Sequence, residues 1–299
     1  MMIIDTHTHI YSPDEKYYPP AQQLLAQGWT GKPMTTPKRP PGKASIEALR
    51  EETRSNGVRA ACIIQTSTFY RFDNRYICDT ARSNPDWVAG VSTLDPDYPY
   101  SASTLSHDSK VYGLRGLRSI AGSDGTLDSP NVRALWKTAA DLGLVVNVLI
   151  SWTDDRGNWY WGKDHLPGLE SMLKQFPKLP IVIDHCLDMK AGRPETPQAV
   201  AAMERLAEYK NVHAKLSWVA AGSREKYPCK DAQPICLRII NAFGPERCVW
   251  GSSYPSNLWA PKLTYAEHLR IFTHELDLKE TARTEVLGGT GKRLWFPNL

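Results

Sequence analysis

The sequence predicts an α/β fold, a distorted (β/α)8 TIM barrel, and three observations lead to it. Eight short apolar runs follow one another along the 299 residues, most of them separated by segments whose apolar residues recur at helical spacing. No hairpin turn joins neighbouring runs, so the strands are expected to be parallel with right-handed crossovers. Polar residues gather at the C-terminal ends of the runs, the side on which such barrels carry their chemistry. The length suits one large core, a single domain over 1–299 with a long loop after the first strand. A doubly wound open sheet is the alternative, and the Gly-rich phosphate turn expected after one of its strands is missing.

The first run, Ile3-Ile4-Asp5-Thr6-His7-Thr8-His9, is a short apolar strand whose alternation sends both imidazoles to one side. Tyr11 to Lys43 is rich in turn formers and aromatics, and a loop of that length reads as a wall or lid over a pocket. Ser45 is placed to cap a helix carrying Ile46 and Leu49, which Asn56-Gly57 stops. Val58 to Gln65 is the second strand, with Gln65-Thr66 polar at its end. Asp73 to Ser83 has a helical pattern, Val88 to Thr93 is the third strand, and Leu94-Asp95-Pro96 breaks it. Leu114 to Arg118 is the fourth strand, ending on Arg118.

Ser129-Pro130 caps a helix with Val132, Leu135, Trp136 and Ala139 on one face, closed by Gly143. Leu144 to Ile150 is the fifth strand. The loop after it holds Trp152, Trp159, Tyr160 and Trp161, too many large aromatics for an ordinary connection, and reads as pocket wall. Pro180 to His185 is the sixth strand, ending in Asp184-His185, and Thr196-Pro197 caps the helix that follows. Asn211 to Ser217 is the seventh strand, with Lys215 near its end, and a helix from about Asp231 to Phe243 stops at Gly244-Pro245. Arg247 to Gly251 is the eighth, leading into Ser252-Ser253-Tyr254-Pro255; two amphipathic helices, Tyr265 to Leu276 and Lys279 to Trp295, finish the chain.

Composition narrows the function. No run is long enough to span a bilayer, and Met1-Met2 leads straight into a strand rather than a basic, apolar leader, so a cytoplasmic protein is expected. The six cysteines are scattered without a Cys-x-x-Cys pair, which argues against a disulfide framework and a zinc ribbon. The net charge of +4 comes from mixed charges without a basic block. Nucleic acid is given no track, and a small anionic substrate is compatible with the charge balance. A homo-oligomer is compatible with the sequence, which does not fix the oligomeric state.

In a barrel, His7, His9, Gln65, Arg118, His185, Lys215 and Ser253 converge on one face. Three imidazoles from two strands can hold a zinc-like divalent ion, which lowers the pKa of its water to about 7 and polarises a carbonyl. Arg118 can clamp a carboxylate bidentately, or pair with a neighbouring carboxylate instead. Lys215 can reach the site, or merely cover apolar surface.

The chain resembles the amidohydrolase-related family in nearly its whole length and in order. The motifs that carry the resemblance are Asp5-Thr6-His7-Thr8-His9, Gly116-Leu117-Arg118, Val182-Ile183-Asp184-His185, Val212-His213-Ala214-Lys215-Leu216-Ser217, Phe243-Gly244-Pro245-Glu246-Arg247, Trp250-Gly251-Ser252-Ser253-Tyr254-Pro255 and Leu287-Gly288-Gly289-Thr290. The branch it resembles contains sugar-acid lactonases, sulfomuconolactone hydrolase and pyrone-dicarboxylate lactonase. The resemblance implies a hydrolase that opens a cyclic ester of a small carboxylate-bearing or ring-shaped compound. His7, His9 and His185 would be catalytic or metal-holding, with either a zinc-like ion or no metal, as members of the family differ on this point. Arg118, Gln65, Lys215, Tyr254 and the tryptophans Trp152, Trp159 and Trp161 would bind the substrate.

One departure matters. The family's eighth strand ends Gly-Ser-Asp-[Trp/Tyr]-Pro, and Ser253 stands here in the place of the aspartate that takes the proton from water. A serine hydroxyl cannot accept that proton at pH 7. The position is either altered to trap a ligand or belongs to a relative that has dropped ordinary hydrolysis. Asn147 on the fifth strand, and no acid or lysine bridging from the fourth, argue against a two-metal site. Besides the hydrolase, two readings stand: a metal-dependent decarboxylase or other lyase on the same barrel, and a ligand-binding pseudoenzyme.

Overall fold

A computed structural model of the chain describes residues 1–21, 39–150 and 162–299. Most of the predicted lid and the loop tryptophans Trp152, Trp159 and Trp161 lie outside the described residues.

All eight apolar runs are strands: β1 (Ile3–Thr8), β2 (Val58–Ile64), β3 (Val88–Thr93), β4 (Gly116–Ser119), β5 (Val145–Val148), β6 (Ile181–Ile183), β7 (Val212–Lys215) and β8 (Cys248–Val249). They form one sheet in sequence order, every neighbouring pair parallel. The circle closes through the residues that follow β8. Thr6 N–H donates to Trp250 O at 3.1 Å, Ser253 N–H to His7 O at 2.9 Å and His9 N–H to Tyr254 O at 2.8 Å. Strands buried on both faces explain why the runs are almost continuously apolar rather than alternating.

The described α-helices, in chain order, are α1 (Ile46–Ser55), α2 (Ser67–Tyr70), α3 (Arg75–Ser83), α4 (Ser101–Tyr112), α5 (Pro130–Asp141), α6 (Gly162–Gln175), α7 (His185–Asp188), α8 (Thr196–Leu206), α9 (Trp218–Gly222), α10 (Gln233–Phe243), α11 (Ser256–Trp259), α12 (Tyr265–Arg270), α13 (Glu280–Thr284) and α14 (Thr290–Trp295). Ser45 caps α1 through Ala48 N–H at 3.4 Å and Ser129 caps α5 through Val132 N–H at 3.3 Å, each satisfying an otherwise orphaned donor. Thr196 is not a cap. It is the first helical residue of α8, and its hydroxyl donates to Lys190 O while accepting from Arg193 N–H. The predicted terminal helices are each broken by a π-helical turn, at Ile271–Glu275 and at Glu285–Gly289. The second turn lies against the start of the chain: a Cβ on Gly288 would come within 2.1 Å of Met2 O, so only glycine lets the two backbones meet. Among the described residues no helix is long and apolar enough to cross a membrane.

The core fills the barrel and the layer between strands and helices. Trp136, Trp218, Trp250 and Trp295 are all fully buried within it. So are three side chains that cores normally exclude, Asp5, Asp184 and Lys215.

Candidate active site

The C-terminal ends of the strands gather the imidazoles. β1 carries its side chains alternately, and its pairing with β2 slips between Asp5 and Thr8, a local bulge. His7 and His9 still face the same way, with ring centroids 5.0 Å apart. His185 completes the group, its ring 4.4 Å from that of His7. The bulge is held by Asp5, whose Oδ1 accepts from His7 N–H at 3.1 Å and Ser252 N–H at 2.9 Å, and whose Oδ2 accepts from the Tyr265 hydroxyl at 2.9 Å. One buried carboxylate thus locks the first strand to the turn after the last. Gly251 allows the same approach, because a Cβ there would sit 2.7 Å from His7 Cβ.

His185 opens a turn the sequence does not announce. His185, Cys186, Leu187 and Asp188 all have positive φ, between 46° and 65°, a left-handed turn made of non-glycine residues. Each such residue costs on the order of 1–2 kcal/mol, and strain of this kind concentrates at functional sites. The Ser217 hydroxyl sits 2.8 Å from His185 Nδ1. Ser253 also has positive φ, at 55°, and its buried Oγ has no hydrogen-bond partner among the described residues.

Charges enter the cluster from three strands. Lys215 Nζ donates to Asp184 Oδ1 at 2.8 Å and to His7 Nδ1 at 3.4 Å, with the lysine and aspartate side chains both fully buried. Asn147 Nδ2 donates to the same Asp184 oxygen at 3.1 Å. Arg118 is buried as well: its Nε donates to Thr93 Oγ1 at 3.1 Å, and one Nη to Gln65 O at 2.6 Å and Ser67 Oγ at 2.9 Å. These bonds hold the guanidinium rigidly and use donors that a free bidentate clamp would need. Gln65 contributes its backbone carbonyl to Arg118; its side-chain amide turns to Asp73 O at 3.1 Å. The Tyr254 ring lies against Tyr265, 6.4 Å between centroids, and it is the backbone of Tyr254 that bonds His9.

The imidazoles are neutral over the ordinary pH range. Burial, and then Arg118, lower His9 to about 3; burial lowers His185 to about 4 against the pull of Asp184; burial, His185 and Lys215 lower His7 as well. Burial pushes the Asp184 carboxyl up, but Lys215, His185 and Arg118 outweigh it and hold the group below its usual range. Burial raises Asp5 to about 6 despite its hydrogen bonds.

His9 has a fixed tautomer, because Nδ1 lies 2.9 Å from Ile64 O and a carbonyl can only accept. Its Nε2 is therefore a lone pair, as a metal ligand would need. His7 is different: its Nδ1 faces an ammonium, and that lysine stands inside the cluster. Among the described residues no group of three or more His, Cys, Asp and Glu side chains is arranged to hold a metal ion. The residues present do not fit a divalent ion bound jointly by His7, His9 and His185.

Sequence reasoning named the histidines, Arg118 and Lys215 but passed over Asp184 as an actor, together with Asp5, Asn147 and Ser67. The signal for Asp184 was present, as a buried carboxylate immediately before His185. Trp259 was also missed; its indole lies 5.5 Å from the His9 ring.

Comparison with known proteins adds three findings. The family model described as Amidohydrolase matches residues 4–296. The L-fucono-1,5-lactonase of Burkholderia ambifaria is 28% identical over 264 residues, covering 84% of this chain and 80% of that protein. Among solved structures, a Pseudomonas putida protein described as a 2-pyrone-4,6-dicarboxylic acid hydrolase superposes with a TM-score of 0.75 at 21% identity, over 100% of this chain and 98% of that one. A Burkholderia multivorans amidohydrolase with bound zinc superposes at 0.67 and 21% identity, over 98% and 99%.

Proposed function

The chain belongs to the amidohydrolase family, and from that premise we propose that it opens the lactone ring of a small carboxylate-bearing substrate. The observation that carries the reading is the buried group of neutral imidazoles between two fixed cations, Arg118 and Lys215, with one carboxylate, Asp184, beside them. Among the described residues Arg118 and Lys215 bring two positive charges to the imidazoles, which suits an anionic ring. The relatedness to a lactone-acting enzyme supports the same substrate class.

In this mechanism the substrate carbonyl is held at His7, where a hydrogen-bond donor stabilises the oxyanion that forms as water attacks. Arg118 sets the charge of the wall that meets the substrate carboxylate. His185 takes the proton from water through Nε2, which is a lone pair when Nδ1–H donates to Ser217 Oγ, and returns it to the ring oxygen as the ester C–O bond breaks; the imidazole is neutral at pH 7. A base that protonates near pH 4 is a weak one, so this form is a slow hydrolase. Trp152, Trp159 and Trp161 supply apolar faces to the ring. Zinc is not required for any of these steps.

Ser253 favours one further reading, a protein that binds such a lactone tightly without turning it over, because the carboxylate usual at this position is absent. A panel of sugar-acid and pyrone-type lactones, followed by proton release at neutral pH, separates the two. Ring opening frees one proton per molecule. Catalytic proton release supports the hydrolase. Saturable binding with release no faster than the spontaneous rate supports the binding protein.

A further inference from the structure

We propose that Lys215 is the resident cation of this site and a positioning residue. Held by Asp184, it donates to His7 Nδ1, so that His7 presents Nε2–H to the substrate rather than a lone pair to a metal ion. The inference deepens the lactonase reading and rests on it only for the identity of the group that receives the hydrogen bond.

The local geometry follows from the barrel. Ile183 and Ala214 are register partners on β6 and β7, so Asp184 and Lys215, the next residue on each, stand side by side. Lys215 Nζ lies 2.8 Å from Asp184 Oδ1 and 3.4 Å from His7 Nδ1. An ammonium has three donors and no lone pair, so the imidazole nitrogen facing it must accept. The one carboxylate that could instead receive a proton from Nδ1 is Asp184 Oδ1, and at 3.9 Å it is beyond hydrogen-bond reach. The His7 proton therefore resides on Nε2, and Nε2 is a buried atom with no hydrogen-bond partner among the described residues. A buried donor left unmade calls for an explanation, and a ligand that completes it supplies one.

Lys215 cannot move away to free the site. Its ammonium lies 5.5 Å from the centre of the Trp295 ring, its side chain is fully buried, and its carbonyl accepts from Cys186 Sγ at 3.2 Å. Asn147 fixes the orientation of Asp184 from the neighbouring strand β5. A divalent ion on His7 would have to take a lone pair from the nitrogen that carries the proton and stand close to a buried positive charge in a low-dielectric site. His7 and His9 then have opposite tautomers: His9 carries its proton on Nδ1 for Ile64 O, and His7 carries it on Nε2.

The test uses the whole chain labelled with 15N. Long-range 1H–15N correlation at neutral pH reads the tautomer of each histidine, and His7→Gln and His9→Gln assign the two signals. The expected result is the Nε2–H form for His7 and the Nδ1–H form for His9. In Lys215→Met, His7 should lose its fixed tautomer while His9 keeps it, and zinc affinity measured by calorimetry should rise by roughly tenfold or more, the scale on which a residue behind a ligand tunes metal binding. If the lactone reaction is present, kcat should fall in this variant much more than KM rises. An Nδ1–H form for His7 in the wild-type protein, or one zinc per chain retained by the wild type through dialysis against a chelator, would overturn the proposal. Both of those results come from the wild-type protein and neither needs turnover, so they decide it even if Lys215→Met fails to fold or the chain proves inactive on lactones.

Discussion

Replacing Ser253 by aspartate puts a carboxylate where the proposed reaction lacks a strong base. The backbone is ready for it: Ser253 has φ of 55°, and aspartate enters that left-handed region more readily than most residues. Its Oγ is buried and has no partner among the described residues, so a new carboxylate would be desolvated. Asp5, a few residues away in space and equally buried, measures the effect, since burial raises it to about 6 even with its hydrogen bonds. A carboxylate at 253 raised equally would be ionised roughly tenfold over its acid form at pH 7, and would protonate about two pH units above His185. The expected gain in kcat is on the order of 100-fold, the lower end of general-base catalysis, with substrate affinity little changed. The same two-unit rise above an unfolded aspartate costs about 3 kcal/mol of stability near neutral pH, which a folded barrel can absorb. The assay is proton release from a panel of acidic lactones by both proteins, over pH 5 to 9, paired with thermal melting. The aspartate form should gain a rate limb that rises with pH around 6. If the serine form already turns over quickly and the aspartate form is slower, the base lies elsewhere and the reasoning fails.

Three further outcomes are expected. Gly251→Ala forces a Cβ to 2.7 Å from His7 Cβ, so it should destabilise the fold by about 1–3 kcal/mol and cut turnover roughly tenfold or more; an unchanged melting temperature and rate would mean the β8 turn has room to move. Stability should fall as pH drops from 6.5 toward 4, because His268, buried and lowered to about 4, stays neutral in the fold while the unfolded chain takes up its proton. That histidine accounts for about 1.4 kcal/mol per pH unit, so His268→Gln should flatten the slope by that amount; Asp5 works in the opposite sense, since the folded form binds its proton from about pH 6 downward. Trp159→Ala and Trp161→Ala should weaken lactone binding, read by calorimetry, while leaving the melting temperature nearly unchanged; equal affinity in both variants would give the loop a packing role.

Much of the fold was legible because each strand of a closed parallel barrel is buried on both faces and leaves an apolar run of its own length. Val88–Thr93 was bounded correctly from that signal, the fourth strand starts two residues later and ends one later than expected, and the others stop one or two residues short of their expected polar ends. Besides four helices of four or five residues, two longer helices were not read. In α4, with Ser101, Leu105 and Asp108 as its buried residues, there is almost no apolar stripe to detect. In α6 the buried Leu166, Leu169, Met172 and Leu173 do keep helical spacing, but Pro167 and the tryptophans before it read as loop.

The sequence by itself determined which residues reach the mouth of the barrel. His7 and His9 alternate on one strand, and Arg118, His185 and Lys215 end or nearly end three others, so strand boundaries alone bring them to one end. Only the tertiary structure decided what those residues are. Lys215 meets Asp184 across two adjacent strands and His7 across the barrel, separations of 31 and 208 positions for which no local pattern exists. Asp5 reaches Ser252 because the sheet closes on itself, and His185 sits in a left-handed turn that its neighbours' propensities oppose. Residue type fixes the chemistry that is available. The partner that accepts or donates each proton is fixed by contacts made only when the first and last strands meet.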